Sequence, residues 1–173
     1  VFGKAFKELN YYPVFIAGAG GCGYADPESI KALGEADEGM TMTYSYNPYK
    51  NTPQNKKFVE DFKAQKGYIP TEAAGMNYYG AMVLYEALEY AGTNFPDDPL
   101  KPENLRAAIV ALDLKTGPAA ETYPSEGIKF DGKGDNVYPG VVVMQVQSGV
   151  PQTVWPEAEK SADPIFPNPF YKP

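Results

Sequence analysis

Met76, Tyr79, Gly80, Val83, Leu84, Ala87, Leu88 and Ala91 recur at three- and four-residue steps through four helical turns. An apolar stripe of that length has to be covered by a second layer of structure, so it dictates a layered fold and not an isolated helix. Thr71 stands ahead of it in the position of an N-cap. Three other helices carry their own punctuation. Asp26, Pro27 and Glu28 read as cap, first helical position and first-turn acid of a helix holding Ile30 and Leu33, with Gly34 closing it. Thr52 and Pro53 start a helix with Phe58 and Phe62 one turn apart, ended by Gly67, and Pro102 opens one with Leu105, Ala108, Ile109 and Leu112 on one side.

Between the helices the period changes to two. Residues 12–17 form a compact Val, Phe and Ile-rich run that predicts a strand, followed at once by Gly18, Ala19, Gly20, Gly21, Cys22 and Gly23. Met40, Met42, Tyr44 and Tyr46 alternate with Thr41, Thr43 and Ser45, the pattern of a half-buried strand that Asn47 and Pro48 break. Residues 141–147 and 150–155 predict a hairpin across the two-residue turn Ser148 and Gly149. Asp131 to Asp135, with Gly132 and Gly134 between them, read as a tight turn and not as a calcium loop, which needs six or more oxygens. The proline-rich residues 161–173 favour extended backbone lying on a surface. Helices and strands in alternation give an α/β fold.

Composition removes whole classes of function. Lysine and arginine number 15 against 22 acidic residues, a net charge of -7 that opposes binding to nucleic acid or anionic lipid. No apolar run approaches the roughly 20 residues of a membrane span, which argues against direct membrane insertion. Histidine is absent and cysteine occurs once, so imidazole bases, Ser-His triads and His- or Cys-based metal sites are out of reach. Glu86 with Glu89, and Asp97 with Asp98, read as solvated charge. Gly18, Gly20 and Gly23 satisfy G-x-G-x-x-G, but Ala25, Asp26 and Pro27 intervene before the helix, so the glycines do not open it as a pyrophosphate loop requires. No enzyme, cofactor or metal is expected.

In order along the chain, the strand and small-residue loop, "PESIKALGEADEGM", a strand, "NPYKNTPQNKKFVEDFKAQKGYIPTEAAGMNYYGAMVLYEALEYAG", "LRAAIVAL", "GIKFDGKGDN" and "VVVMQVQSGVPQTVWP" resemble the last half of type I periplasmic binding proteins of ABC transporters, nearest the branched-chain amino acid, amide and urea group. The resemblance implies two Rossmann-like three-layer α/β lobes with a ligand between them, of which only the C-terminal half is present. It places residues 1–47 in the second lobe, 48–138 in the first and 139–160 back in the second, with 161–173 as a tail. The uncapped opening at Val1 and Phe2 agrees with a piece of a longer protein. The resemblance further implies a periplasmic or lipid-anchored extracytoplasmic protein, made with a signal peptide, that hands a small polar metabolite to a transporter permease; a receptor or regulator sensing domain is the alternative with the same fold. The uncovered stripe implies that the missing N-terminal half, or a self-associating copy, accompanies the chain.

In that family the loop after the strand at residues 14–17 faces the ligand, and amino-acid binders place a carboxylate there. Here Gly21, Cys22 and Gly23 occupy it, and Asp26 is expected to be committed to capping the helix. The candidates for ligand contact are therefore Gly21, Cys22, Gly23, Tyr24 and Tyr46, with an amino acid, amide, urea or aromatic carboxylate as ligand. Cys22 is read as a small filler and not as a reactive thiol, because nothing basic lies near it in sequence. Tyr79 falls on the apolar stripe and is expected in the core; Tyr78 points away from it.

Overall fold

A computed structural model describes residues 2–21 and 23–172. They fall into two compact units, one made of Val1–Ser45 with Val142–Pro173 and the other of Tyr46–Val141.

The first unit holds helices α1 (Phe2–Leu9) and α2 (Pro27–Leu33) and a sheet of β1 (Ala17–Gly18), β2 (Thr41–Tyr44), β3 (Val142–Gln147) and β4 (Val150–Trp155) in the order β1-β2-β3-β4. β1 runs parallel to β2, and the other pairs are antiparallel. Met40, Met42, Tyr44, Val142, Met144 and Val146 form its core. The β3–β4 turn is as the sequence predicts: Ser148 and Gly149 both take positive φ, +51° and +71°, the mirror-image turn that matches strand twist. Glu38 secures that turn by accepting the Ser148 and Gly149 amides at 2.8 and 3.4 Å.

Of the predicted strand over residues 12–17 only Ala17 lies in β1, where Gly18 joins it. Pro13 has no amide to give a ladder, and Val14 and Phe15 remain 42 and 48% exposed. The run is tied instead to the tail. Asn168 donates its amide to the Val14 carbonyl at 2.8 Å and its side-chain nitrogen to the Glu38 carbonyl at 3.1 Å, while Phe15 meets Phe166 edge-on. Gln145 pairs with both the amide and the carbonyl of Ile165, at 2.8 and 3.0 Å, so one side-chain amide does for the tail what a strand neighbour would do.

The second unit is built from α3 (Pro53–Lys66), α4 (Glu72–Asn94), α5 (Pro102–Ala111) and a short α6 (Gly117–Thr122) that the sequence did not announce. Thr71 caps α4 by accepting the Ala74 amide, and Gly67 ends α3 in the left-handed region at φ +83°. Phe58 of α3 stacks on Tyr78 of α4 with centroids 4.1 Å apart, which turns Tyr78 toward α3. The Asp131 carboxylate accepts the Lys133, Gly134 and Asp135 amides, and these bonds hold it below the usual carboxylate range. That is the expected tight turn.

Only part of the α4 stripe is core. Val83, Ala87 and Ala91 are buried against α5 and the 112–130 segment, whereas Met76, Leu84 and Leu88 stay 44, 48 and 37% exposed. Beside them lies an apolar hollow of about 380 Å³, lined by Tyr79, Gly80, Val83, Leu84, Ile109 and Phe130 among others. Gly80 and Leu84 belong to both surfaces, so hollow and stripe are one continuous uncovered face.

Asp37, at the end of a 3-10 turn (Gly34–Asp37), has no solvent exposure, and neither carboxylate oxygen has a hydrogen-bond partner. Burial, with a smaller push from the Glu38 charge, raises it from 3.8 to about 7. The folded chain thus holds a proton there that the unfolded chain has lost, and stability falls as pH climbs from about 4 through 7. The full span is worth on the order of 4 kcal/mol. Melting wild type and Asp37→Asn side by side from pH 4 to pH 8 is expected to show the variant gaining on wild type with rising pH; a constant difference would count against a buried, unpaired carboxylate.

Candidate functional site

The loop after β1 is the part of the first unit with the freest backbone. Gly20, Gly21 and Gly23 take φ of +50°, +61° and +72°, values that residues with a Cβ adopt only under strain. The loop closes onto α2 through a turn in which Asp26 donates its amide to the Gly23 carbonyl at 3.1 Å, and Ile30 in turn donates to the Asp26 carbonyl at 3.0 Å. At its other end the Gly20 amide donates to the Thr43 hydroxyl at 2.7 Å, tying the loop to β2.

Three of the five expected contact residues lie together here. Gly21 is exposed, with open space where a side chain would go, while Gly23 and Tyr24 are half-buried. Cys22 lies outside the described residues. Among the described residues of the loop, the one carboxylate is that of Asp26, at its junction with α2.

Tyr46 belongs to the second unit, has no exposed surface, donates its hydroxyl to Asn55 at 3.0 Å, and packs its ring so closely on Gly75 that a Cβ there would overlap the ring. Alternation along residues 40–46 marked it correctly as inward-facing, but its face is core and offers no surface to a ligand. Asp26 also departs from expectation. It holds the N-cap position with extended backbone, yet its side chain makes no bond to the helix amides; it leans back toward Gly23, where a Cβ would lie 3.4 Å from Oδ2.

Thr43 is the residue that sequence reasoning passed over. The β2 alternation sets it with Thr41 on the face opposite Met42 and Tyr44, but nothing in a one-dimensional pattern says that it meets a glycine amide 23 residues away. Tyr79, expected in the core, meets Tyr123 edge-on at 5.2 Å, and burial pushes its hydroxyl up to about 12. Among the described residues no group of three His, Cys, Asp or Glu side chains is placed to hold a metal ion.

A family model for periplasmic binding proteins matches residues 1–150. The chain is 33% identical over 162 residues to the Leu/Ile/Val-binding protein homolog 8 of Brucella melitensis, covering 91% of this chain and 38% of that protein. It is 31% identical over 163 residues to homolog 7 of Brucella abortus, with the same coverage. A leucine-binding protein of Thermotoga maritima superposes with a TM-score of 0.69 at 28% identity, over 88% of this chain and 39% of that one. A branched-chain amino acid ABC transporter protein of Thermus thermophilus with bound valine gives 0.62 at 22% identity, over 95% and 42%. The chain belongs to the periplasmic binding protein family, a family of substrate-binding proteins, and has the type I fold of that family. It spans about 38% of the length of the curated relatives it matches.

Because the open space at Gly21 removes any clash, a substitution there tests backbone conformation alone. Gly21→Ala in the complete protein is expected to cost about 1–2 kcal/mol, and Gly21→Asn clearly less, since asparagine tolerates the left-handed region. Chemical denaturation of the two variants checks the order; equal losses would mean that the loop does not hold this conformation.

Proposed function

We propose that the complete protein is an extracytoplasmic solute-binding protein that captures a branched-chain amino acid and delivers it to the permease of an ABC importer. The observation that carries this reading is the 31–33% identity, across 91% of the chain, to two proteins named for leucine, isoleucine and valine. The 28% identity to a leucine-binding protein of the same fold supports it. It narrows the ligand range that the resemblance leaves open, in which amides, ureas and aromatic carboxylates stand beside amino acids. The glycine loop, through Gly21, Cys22, Gly23 and Tyr24, supplies part of the contact. It contributes backbone and aromatic surface, with the Asp26 carboxylate beside Gly23.

Transport chemistry of this kind needs no covalent step, only a ligand held more tightly in one conformation than another. Among the described residues no helix is long and apolar enough to cross a membrane. In the complete protein, leucine, isoleucine or valine at a hundredfold over its Kd is expected to stabilise the fold by about 2.7 kcal/mol, read as a rise in melting temperature. No shift with these three, together with a shift by acetamide, urea or benzoate, would overturn the ligand assignment.

The uncovered face of α4 belongs to the same reading. Met76, Gly80, Leu84 and Leu88, with the adjoining hollow, present an apolar surface of the kind that marks an interface. In the complete protein it is covered by the upstream half. The 173-residue chain alone is therefore expected to self-associate in sedimentation, and Leu84→Glu to shift it toward monomer. A monodisperse, cooperatively melting wild-type monomer would overturn this assignment of the surface.

A further inference from the structure

We infer that Thr43 is a positioning residue for the ligand loop: its hydroxyl fixes the main chain at Gly20 and thereby the presentation of Gly21, Gly23 and Tyr24. The inference rests on the reading of this loop as ligand-facing.

Three left-handed glycines in the four residues from Gly20 to Gly23 give the loop far more conformational freedom to lose than an ordinary turn. A loop of this composition can present a defined surface only if something outside it holds the backbone. The parallel pairing of Ala17 with Thr41 and Gly18 with Met42 carries the chain off the edge of β2 just where Thr43 follows. There the Thr43 oxygen receives the Gly20 amide at 2.7 Å, short for a neutral N–H···O bond. A Cβ built on Gly20 would find that same oxygen as its nearest neighbour, at 3.7 Å. The hydroxyl, and not the bulk of the side chain, faces the loop.

The choice of threonine is informative. Valine has the same branched shape and fits a strand at least as well, so strand formation alone does not require the oxygen. Thr41, on the same face of β2, uses its hydroxyl in a comparable way, donating to the Gly39 carbonyl at 3.2 Å and accepting from Gln145 at 3.2 Å. This face of β2 is a row of hydroxyls serving neighbouring backbone and amide groups. Thr41 locks the sheet to its own entry turn, and Thr43 locks it to the glycine loop.

The test uses the complete protein with Thr43→Val and Thr43→Ser, leucine, isoleucine and valine as ligands, and hydrogen exchange of the loop amides. Loss of the hydroxyl is expected to weaken binding between about two- and tenfold, the range of one net hydrogen bond, and to speed exchange at residues 19–23. Serine restores the acceptor, so Thr43→Ser is expected to bind and exchange like wild type. A merely structural role for the branched side chain predicts the reverse, with valine tolerated and serine not. Unchanged binding in Thr43→Val, failure of serine to rescue, or weakened binding with unchanged loop exchange each overturns the inference. A wild-type protein that binds none of the three ligands overturns the underlying ligand reading, and the role of Thr43 with it.

Discussion

The contact of Tyr46 with Gly75 and Asn55 sets the geometry of the second unit. The phenol ring lies where a side chain on α4 would otherwise be, so only glycine at position 75 lets α4 approach the segment that follows Tyr46. Asn55, on α3, accepts the phenol hydrogen and donates its own amide to the carbonyls of Asn47, Pro48 and Lys50 at 3.0–3.3 Å. One fully buried side chain thus ties α3 to the turn at residues 47–50 and to the Tyr46 ring that packs on α4. Any polar group buried there without partners would be heavily penalised, which makes the arrangement close to all-or-none.

This constraint also accounts for the gap between pattern and role at Tyr46. Alternation reports that a residue points inward, but it cannot report whether the inward side is protein or a ligand. The same limit applies at Thr43, whose outward-facing position hid a partner supplied by chain crossing and not by sequence proximity. Gly21, Gly23 and Tyr24 were legible as one loop because a glycine cluster after an apolar run has few other readings. The absence of a cap bond from Asp26 was not legible, since cap preferences describe residue types and not the direction a carboxylate takes.

The fold was readable where local rules act alone. The helix α3 carries its own start and stop in Pro53 and Gly67, α4 carries its start in Thr71, and the hairpin is written in its two turn residues. The apolar run at residues 12–17 shows the opposite case. Strand propensity is present, but Pro13 and the tail's claim on Val14 leave only Ala17 of the run in β1. The exposed half of the α4 stripe has a related cause: periodicity shows that a face is apolar, and it does not show what covers that face.

Lys50 places its ammonium among the carbonyls of Ala120, Tyr123 and Ser125, at 3.2, 2.6 and 2.7 Å, at the carboxyl end of α6. A six-residue helix is too short to persist in water by itself, and a cation at its negative end, with all three N–H groups directed to acceptors, offsets that weakness. The same turn that Asn55 organises positions Lys50. The 47–50 segment and α6 therefore stand or melt as one cooperative unit, although about 70 residues separate them along the chain.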